Sequence, residues 1–318
     1  MRAPAATFIL LLSACAALAP EAPPKRVGVL LLGTAESAAP FLASLRQGLR
    51  EQGYVEGRNL VLEPRYAEGK IDRLGPLAEE LVRQPVDAIV GAGNPVIMAA
   101  KRATSSIPIV VPATAAPVEV GLVASGANVG AFDVAPATLV RQHVALLREI
   151  VPGLRKLAVA WNGSNPAAAA LAGRVKSAAG AAGVEVLAIA VSTPAALETP
   201  LRQARSQGAQ AILVVADPQF FQQRRKIAEW TNASGLPALC QEIEYGEAGC
   251  LVANGVNARA MFGQAASYVG EVLRGKPIAD LPVGVPARFE LVVNAGSAKA
   301  GGHVIPDSVR ARADRVIP

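Results

Sequence analysis

Short runs of apolar residues alternate with longer stretches of helical periodicity along most of this chain. After the run RVGVLLL at 26–32, apolar residues recur at helical spacing (Phe41, Leu42, Leu45 and Leu49), which predicts a strand followed by an amphipathic helix. The first half has predicted strands at 26–32, 59–66, 86–93 and 107–113 and predicted helices at 37–53, 71–84 and 95–104. The second half repeats the pattern, with strands at 156–161, 184–190, 209–216 and 236–240 and helices at 165–183, 193–208 and 217–235.

This alternation, present twice, predicts an α/β protein with two doubly wound lobes, each a parallel sheet covered by helices on both faces. Three segments are predicted to cross between the lobes and to form a hinge, at 127–134, 249–255 and 282–286. The predicted N-terminal lobe comprises 25–132 and 255–284, and the predicted C-terminal lobe comprises 133–254 and 285–318. Two lobes on a three-segment hinge predict a ligand cleft that opens and closes.

The first 24 residues have the pattern of an export signal and a tether. A positive charge at Arg2 precedes an apolar run at 8–12 that is too short to span a membrane, and small residues follow. The sequence Leu-Ser-Ala-Cys at 12–15 resembles a bacterial lipobox, whose cleavage before Cys15 would leave a lipid-anchored protein. Cleavage after Ala19 is the alternative. Both alternatives predict a protein of the periplasm or the cell surface.

Composition and charge limit the classes of function. The chain of 318 residues is 52% apolar and 18% charged, which indicates globular domains rather than a disordered chain. Its net charge of +6 is spread out, with no basic run longer than the three residues at 224–226, so we expect no nucleic-acid partner. For Cys240 and Cys250 the alternatives are a disulfide and two buried thiols. No Cys/His metal spacing occurs, and we expect neither a metal nor a cofactor.

Polar side chains follow the carboxyl ends of the predicted strands, which is where ligands bind in open parallel sheets. The same residue types cap helices, and Ser37, Asn165 and Asp217 each fit that alternative. Their recurrence at one edge of both lobes favours a ligand site, to which backbone amides at the helix starts contribute. The candidates are Thr34, Ser37, Asn94, Thr114, Asn162, Ser164, Asn165, Asp217, Glu242 and Asn254, with Tyr245 or Phe220 as a candidate apolar wall or a packing residue.

Motifs of catalysis are missing from the sequence. It contains no GxSxG, P-loop, HExxH or GxGxxG pattern. His143 lies in a predicted helix and is interpreted as a helix-surface or interface residue, and His303 lies in a glycine-rich stretch without a nucleophile beside it. We therefore expect that the protein is not an enzyme.

Several longer stretches resemble the ABC-transporter substrate-binding proteins of the tryptophan/tyrosine-binding type. The most specific are GYVEGRN at 53–59 and LRGKPIADLPV at 273–283, and IPIVVPATAAPVEVGLVAS at 107–125 and FELVVNAGSAKAGGHVIPDSVRARAD at 289–314 extend the similarity. The resemblance covers nearly the whole chain after the leader and implies a type I periplasmic-binding fold without catalysis. It also implies delivery of a small solute to a membrane permease and its ATPase.

The resemblance implies roles for single positions. Asp133 matches an acidic position that in amino-acid-binding members would face a ligand ammonium group, with which a carboxylate makes a charge-assisted hydrogen bond. Ser164 and Asn165 match polar positions that oppose it from the second lobe, and Asp217 matches a further acidic loop position.

The chain also departs from the family. Ala115-Ala116 stand where a Thr-Asp pair is frequent, Asn94 replaces a threonine, and Asn254 replaces a tyrosine. Because unpaired buried polar groups weaken binding strongly, such changes alter which solute fits. The resemblance therefore leaves the solute open.

The sequence as a whole predicts an exported monomer that captures a small polar or zwitterionic solute, such as an amino acid, by hinge closure and serves an ABC importer. The alternative is a ligand-sensing protein that acts on a receptor or sensor kinase, since one fold serves both uses. An extracytoplasmic enzyme on a bilobal scaffold is a third hypothesis, which the missing pair of nucleophile and base disfavours.

Overall fold

The computed structural model describes residues 23–124 and 126–318. The predicted lipidation site at Cys15 lies outside the described residues. The strands are β1 Lys25–Leu31, β2 Leu60–Tyr66, β3 Ala88–Gly91, β4 Ile109–Thr114, β5 Val129–Asp133, β6 Lys156–Asn162, β7 Glu185–Val191, β8 Ala211–Val214, β9 Ala238–Cys240, β10 Val252–Gly255, β11 Glu290–Asn294 and β12 Arg315–Ile317. The helices are α1 Ala35–Glu51, α2 Leu74–Arg83, α3 Asn94–Ala103, α4 Ala137–Ile150, α5 Pro166–Ala181, α6 Glu198–Gln203, α7 Pro218–Gln222, α8 Arg224–Ala233, α9 Glu244–Glu247, α10 Ala258–Leu273, α11 Ala295–Gly301 and α12 Asp307–Arg312.

Five parallel strands form the sheet of the N-terminal lobe, in the order β2-β1-β3-β4-β5. Helices α1 and α10 pack on one face of this sheet, and α2 and α3 pack on the other. Every residue of β3 is buried because helices cover both faces of the sheet. Gly48 of α1 and Gly263 of α10 lie so close that a Cβ atom at Gly48 would overlap the backbone of Gly263.

Seven strands form the sheet of the C-terminal lobe, in the order β12-β11-β10-β9-β8-β6-β7. Neighbouring strands are parallel except for the pair β10 and β11. Helices α4, α5 and α12 pack on one face, and α6, α8 and α9 pack on the other. The two sheets and their helices confirm the predicted α/β fold with two doubly wound lobes.

The chain passes between the two sheets three times, after β5, between β10 and α10, and before β11. Two of these crossings lie side by side near Gly284. The backbone N–H of Asp133 donates to the carbonyl of Gly284 (3.0 Å), and the N–H of Gly284 donates to the carbonyl of Ala131 (2.8 Å). These backbone hydrogen bonds give the hinge a short ladder that joins its first and third segments.

Parts of the C-terminal lobe differ from the sequence prediction. The helix predicted at 193–208 begins as a 3₁₀ turn before α6, and the helix predicted at 217–235 is divided into α7 and α8. The segment 249–255, predicted as a crossing on a short strand, forms β10 over most of its length and lies inside the sheet of the C-terminal lobe. Strands β11 and β12 extend the same sheet beyond the repeated pattern, since they pair through a C-terminal segment that has no counterpart in the first half.

Cys240 and Cys250 are joined in a disulfide with a Cα–Cα distance of 6.7 Å. Cys240 ends β9 and Cys250 lies just before β10, and these two strands are neighbours in the sheet. Both residues are fully buried. The bridge closes the segment 241–249, which contains Glu242 and α9.

Candidate functional site

A cavity of about 140 Å³ lies between the two lobes, at the carboxyl ends of strands from both sheets. This volume is roughly ten times the ~10–15 Å³ that one water molecule needs, so the cavity can hold a small organic molecule. Its lining is mainly apolar, with a few polar side chains, as is usual for small-molecule sites. The predicted candidates in the lining are Ser37, Asn94, Thr114, Asn165, Asp217 and Glu242.

Asp217 is the most heavily bonded of these side chains and is 2% exposed. Its carboxylate accepts from the backbone N–H groups of Gln219 (2.9 Å) and Phe220 (3.2 Å), and it thereby caps α7. It also accepts from the side-chain amides of Asn165 (2.7 Å) and Asn162 (3.2 Å and 3.3 Å). Both of its oxygens are therefore held in place, and the carboxylate has a fixed orientation at the cavity wall.

The loop after β6 combines capping with a place in the cavity wall. The side-chain oxygen of Asn165 accepts from the N–H of Ala167 (3.1 Å) and caps α5, while its amide donates to Asp217. Asn162 is buried behind the wall, and its oxygen accepts from the N–H of Ser164 (3.0 Å). Ser164 itself is exposed and does not line the cavity. The two sequence alternatives, cap and ligand wall, are thus both realised at Asn165.

Glu242 follows β9 and lines the cavity beside Asp217. Its Oε2 atom is inaccessible to solvent and has no hydrogen-bond partner. Burial raises the pKa of Glu242 well above its usual value, and the nearby carboxylates of Glu244 and Asp217 raise it further. Arg224 acts weakly in the opposite direction.

Two polar side chains of the N-terminal lobe line the same cavity, and each carries an unpaired buried atom. Asn94, at the start of α3, is 6% exposed, and Thr114, at the end of β4, is 5% exposed. Neither Oδ1 of Asn94 nor Oγ1 of Thr114 has a hydrogen-bond partner within the protein. Because most buried polar atoms are paired, two unpaired ones on one cavity indicate a ligand that completes them.

The start of α3 adds positive character to the same wall. Gly93 occupies the N-cap position with φ +87°, and no side chain caps the helix. The helix dipole and free amides of such a terminus favour an anion.

Thr34 and Ser37 instead cap α1 reciprocally, through Ser37 N–H to Thr34 Oγ1 (3.2 Å) and Thr34 N–H to Ser37 Oγ (2.9 Å). Ser37 still lines the cavity, whereas Thr34 does not.

Three phenylalanines form the apolar wall that sequence reasoning missed. Phe41 lies between Phe262, with ring centroids 5.3 Å apart, and Phe221 at 6.3 Å. The candidate Phe220 is fully buried in the core of the C-terminal lobe, and Tyr245 packs in the same core with its hydroxyl unpaired. Helical periodicity identified the apolar face that contains Phe41, but periodicity alone does not separate core from cavity.

Asp133 is not among the residues that line the cavity, although its neighbour Val134 is. Its carboxylate accepts from Arg174 Nη1 (3.1 Å) and from the N–H of Ala135 (3.1 Å) and is therefore engaged at the hinge. Arg174, on α5, also donates to the carbonyl of Ala135 (2.7 Å) and pairs with Glu119 of the N-terminal lobe. The carboxylate of Asp133 is thus engaged by Arg174 in this structure, whereas the family resemblance implies an ammonium contact for it.

Asn254 also lies outside the cavity lining. Its amide donates to the carbonyl of Glu290 (3.0 Å) along the pair of β10 and β11. Its own carbonyl lies 2.8 Å from Nε2 of His143, which is buried and, of the two predicted alternatives, is not at a helix surface. The side-chain amide of Asn254 therefore stabilises the pairing of β10 with β11 at the hinge.

The two lobes are in contact around the cavity, which makes this a closed arrangement. A Cβ atom on Gly93 would overlap the ring of Pro218, and one on Gly33 would lie 3.3 Å from Nε2 of Gln222. The pair of Phe41 and Phe221 crosses the same boundary. The glycine at 93 thus permits the close approach of the lobes.

Within the described residues, no group of three or more His, Cys, Asp or Glu side chains is arranged to hold a metal ion. Among the helices of the described part of the chain, none combines the length and apolar character needed to cross a membrane.

A family model and a curated relative both match this chain over most of its length. A family model described as "ABC transporter substrate binding protein" matches residues 27–317. A curated tyrosine-binding protein of Clostridioides difficile is 24% identical over 281 residues, which are 87% of this chain and 80% of that protein.

Two solved structures have the same bilobal fold. A conserved domain protein of Vibrio cholerae superposes with a TM-score of 0.83 at 26% identity, covering 92% of this chain and 99% of that one. An ABC domain from Streptococcus pneumonia in complex with L-Trp superposes with a TM-score of 0.83 at 22% identity, covering 92% of this chain and all of that one.

Proposed function

The chain belongs to the family of ABC transporter substrate-binding proteins, which are not enzymes, and we propose that its solute is an amino acid with a large apolar side chain. The observation that carries the proposal is one closed cavity with a polar end and a phenylalanine wall. The names of two relatives, a tyrosine-binding protein and a complex with L-Trp, support the same class of solute.

Each lobe offers a different charge to a zwitterion. The N-terminal lobe contributes the uncapped start of α3 and the hydroxyl of Thr114, both of which suit a carboxylate. The C-terminal lobe contributes the carboxyl groups of Asp217 and Glu242, which suit an ammonium group. Gly93, at the start of α3, lies against Pro218, the neighbour of Asp217, so the two lobes meet beside these groups.

Because one lobe binds the carboxylate of the solute and the other lobe binds its ammonium group, the solute favours closure of the two lobes. An amino acid held by one lobe alone leaves either its carboxylate or its ammonium group without protein partners. Only the closed form makes both sets of contacts, so the solute shifts the population toward closure by the difference between them. The lobes then present a closed surface to a transport partner.

The importer role belongs to the same proposal. The protein works outside the cytoplasm, is anchored through lipid at Cys15 and delivers its solute to a permease driven by an ATPase. Uptake of a labelled solute by cells with and without the gene tests this role. A loss of uptake supports import, whereas unchanged uptake with a lost transcriptional response supports the sensing alternative.

The solute class is tested by a thermal-shift panel of the twenty amino acids on the purified protein. A solute at about a hundred times its Kd stabilises the fold by about 2.7 kcal/mol, a readily measured shift in Tm. We expect aromatic and large branched amino acids to give this shift. The variant Thr114→Val removes one donor and weakens binding about fivefold, since a hydrogen bond contributes about 1 kcal/mol.

The matched control is Thr193→Val, an exposed threonine outside the cavity. It should bind as the wild type does. Absence of a shift with every apolar amino acid, together with a shift for another solute class, would refute the proposed solute.

A further inference from the structure

Two carboxyl groups line the cavity, and they differ in how their oxygens are used. Those of Asp217 accept from two asparagine side chains and from the first turn of α7. Oε2 of Glu242 has no partner, although solvent does not reach it. Glu242 is therefore the acidic side chain of the lining with a buried acceptor left for a ligand.

The charged and titratable groups that face Glu242 are mostly acidic. Asp217 lies beside it, Glu244 and Tyr245 follow it on α9, and Arg224 at the start of α8 is a cation in range. Arg224 is engaged with the ring of Phe221, 4.7 Å from the ring centroid, and donates to the Phe221 carbonyl (3.0 Å).

The cavity walls from the N-terminal lobe, on α1, α3, β4 and α10, bring no charged side chain to the lining. Their polar members are Ser37, Asn94 and Thr114, which are neutral. An unpaired carboxylate in such surroundings is unfavourable, because burial and two acidic neighbours both disfavour the charged form. The burial of Oε2 and the acidic neighbours therefore favour the protonated form of the Glu242 carboxyl group in the empty site.

We propose that Glu242 accepts the ammonium group of the solute and that solute binding expels the proton that Glu242 holds in the empty site. The inference rests on the proposed function, because it needs a solute with a positively charged amine. The ammonium group keeps its three protons and donates one N–H to the new carboxylate. The proton leaves Glu242 for the buffer, so that one positive charge enters the site and one leaves it.

Asp217 is a positioning partner in this scheme. Its fixed negative charge adds to the attraction for the ammonium group and keeps Glu242 protonated until that group arrives. Asn94 and Thr114, both more than nine-tenths buried with unpaired atoms, face the same ligand from the other lobe. The site then selects amines, because a neutral hydroxyl in place of the ammonium group carries no positive charge that would stabilise the ionised carboxylate of Glu242.

The proton count is measured by titration calorimetry with L-tryptophan and L-tyrosine in phosphate and in imidazole buffer at pH 6, 7 and 8. When binding releases a proton, the buffer takes it up, and the measured heats in the two buffers differ. The difference equals the number of protons released multiplied by the difference between the ionisation heats of the two buffers. We expect a release that approaches one proton at pH 6, with affinity rising by up to about tenfold per pH unit. The rise ends once the pH exceeds the pKa of Glu242 in the empty site.

L-Indole-3-lactate, which carries a hydroxyl in place of the ammonium group, is the matched ligand. It should bind more weakly than L-tryptophan and without proton release. The variant Glu242→Gln should bind L-tryptophan roughly tenfold to a hundredfold more weakly at pH 8, again without release. The control Glu36→Gln changes an exposed acid beside Ser37 and should retain both the affinity and the release.

The outcomes separate the two proposals. Binding of L-tryptophan with equal heats in both buffers, at an affinity that Glu242→Gln leaves unchanged, overturns the inference and leaves the proposed function standing. Proton release with L-indole-3-lactate also overturns the inference. Binding of neither amino acid nor any other apolar amino acid overturns the proposed function itself.

Discussion

Replacing His143 by glutamine tests a buried chain of contacts that joins the cavity to the hinge. His143 lies on α4 without solvent exposure, with Nε2 2.8 Å from the carbonyl of Asn254 and Nδ1 3.2 Å from the amide of Gln241. Oε1 of Gln241 accepts from the N–H of Ala216, which lines the cavity (3.1 Å). A carbonyl on one ring nitrogen and an amide donor on the other require a neutral imidazole with its proton on Nε2.

The pH dependence of stability follows from this environment. Burial lowers the pKa of His143 to about 4, although the hydrogen bond to Asn254 acts in the opposite direction. An unfolded histidine titrates near 6.5, so between pH 6.5 and pH 4 the folded state binds fewer protons than the unfolded state. The stabilising contribution is therefore complete above pH 6.5 and is lost as the pH falls to 4. The gap between these pKa values corresponds to about 3 kcal/mol.

Urea unfolding of the wild type and of His143→Gln at several pH values between 7.5 and 4 measures this contribution. Glutamine does not titrate, so the other titrating groups cancel in the difference between the two proteins. We expect the wild type to be the more stable at pH 7.5 and its advantage to shrink by about 3 kcal/mol at pH 4. A difference in the free energy of unfolding that stays constant across this range would refute the reasoning.

Two further substitutions test how the lobes close. Gly93→Ala adds a Cβ at φ +87° that overlaps Pro218, so we expect solute affinity to fall at least tenfold and the solute-bound protein to keep a larger radius of gyration in solution scattering. Arg174→Gln removes the ion pairs with Glu119 and Asp133 across the lobes, and affinity should fall about fivefold, with a smaller loss at high salt.

Each of these substitutions has a matched control. Gly121→Ala also adds a Cβ at positive φ (+68°), but nothing lies within 4 Å of it, so it should cost stability without changing affinity. Arg46→Gln removes an exposed ion pair with Glu56 inside the N-terminal lobe and should leave affinity unchanged. Equal effects on affinity from a control and its test variant would show that lobe contact is not the cause.

The fold was predictable because its signal is local and repeated. The apolar composition of a short segment such as 156–161 is enough to predict a strand there. The alternation of strands and helices begins again at Lys156, which indicated a second lobe. The antiparallel pair of β10 and β11 was not predictable in the same way. Its nearest partners, Gly255 and Glu290, are 35 residues apart, and no local pattern in the chain between them indicates that they pair.

The candidate site was predictable as an edge of two sheets but not as a set of contacts. Loop position alone brought Asn94, Thr114 and Asp217 to one cavity, since strand ends in a parallel sheet meet at the same edge. Which acid faces the ligand depended instead on tertiary partners. Asp133 is engaged by Arg174, 41 residues away on another lobe, and no local pattern distinguishes that guanidinium from any other helix-surface arginine.

Tertiary partners also determine which acidic side chain keeps an oxygen available for a ligand. Asp133 and Asp217 have partners that satisfy their oxygens, one an arginine at the hinge and the other two asparagines and a helix start. Glu242 lies in the segment that the disulfide closes, just before α9, and no neighbour donates to its Oε2. An ammonium-binding acid needs this combination of burial, fixed position and an unused oxygen. In this chain the combination occurs at Glu242, which is where the calorimetric proton count should find it.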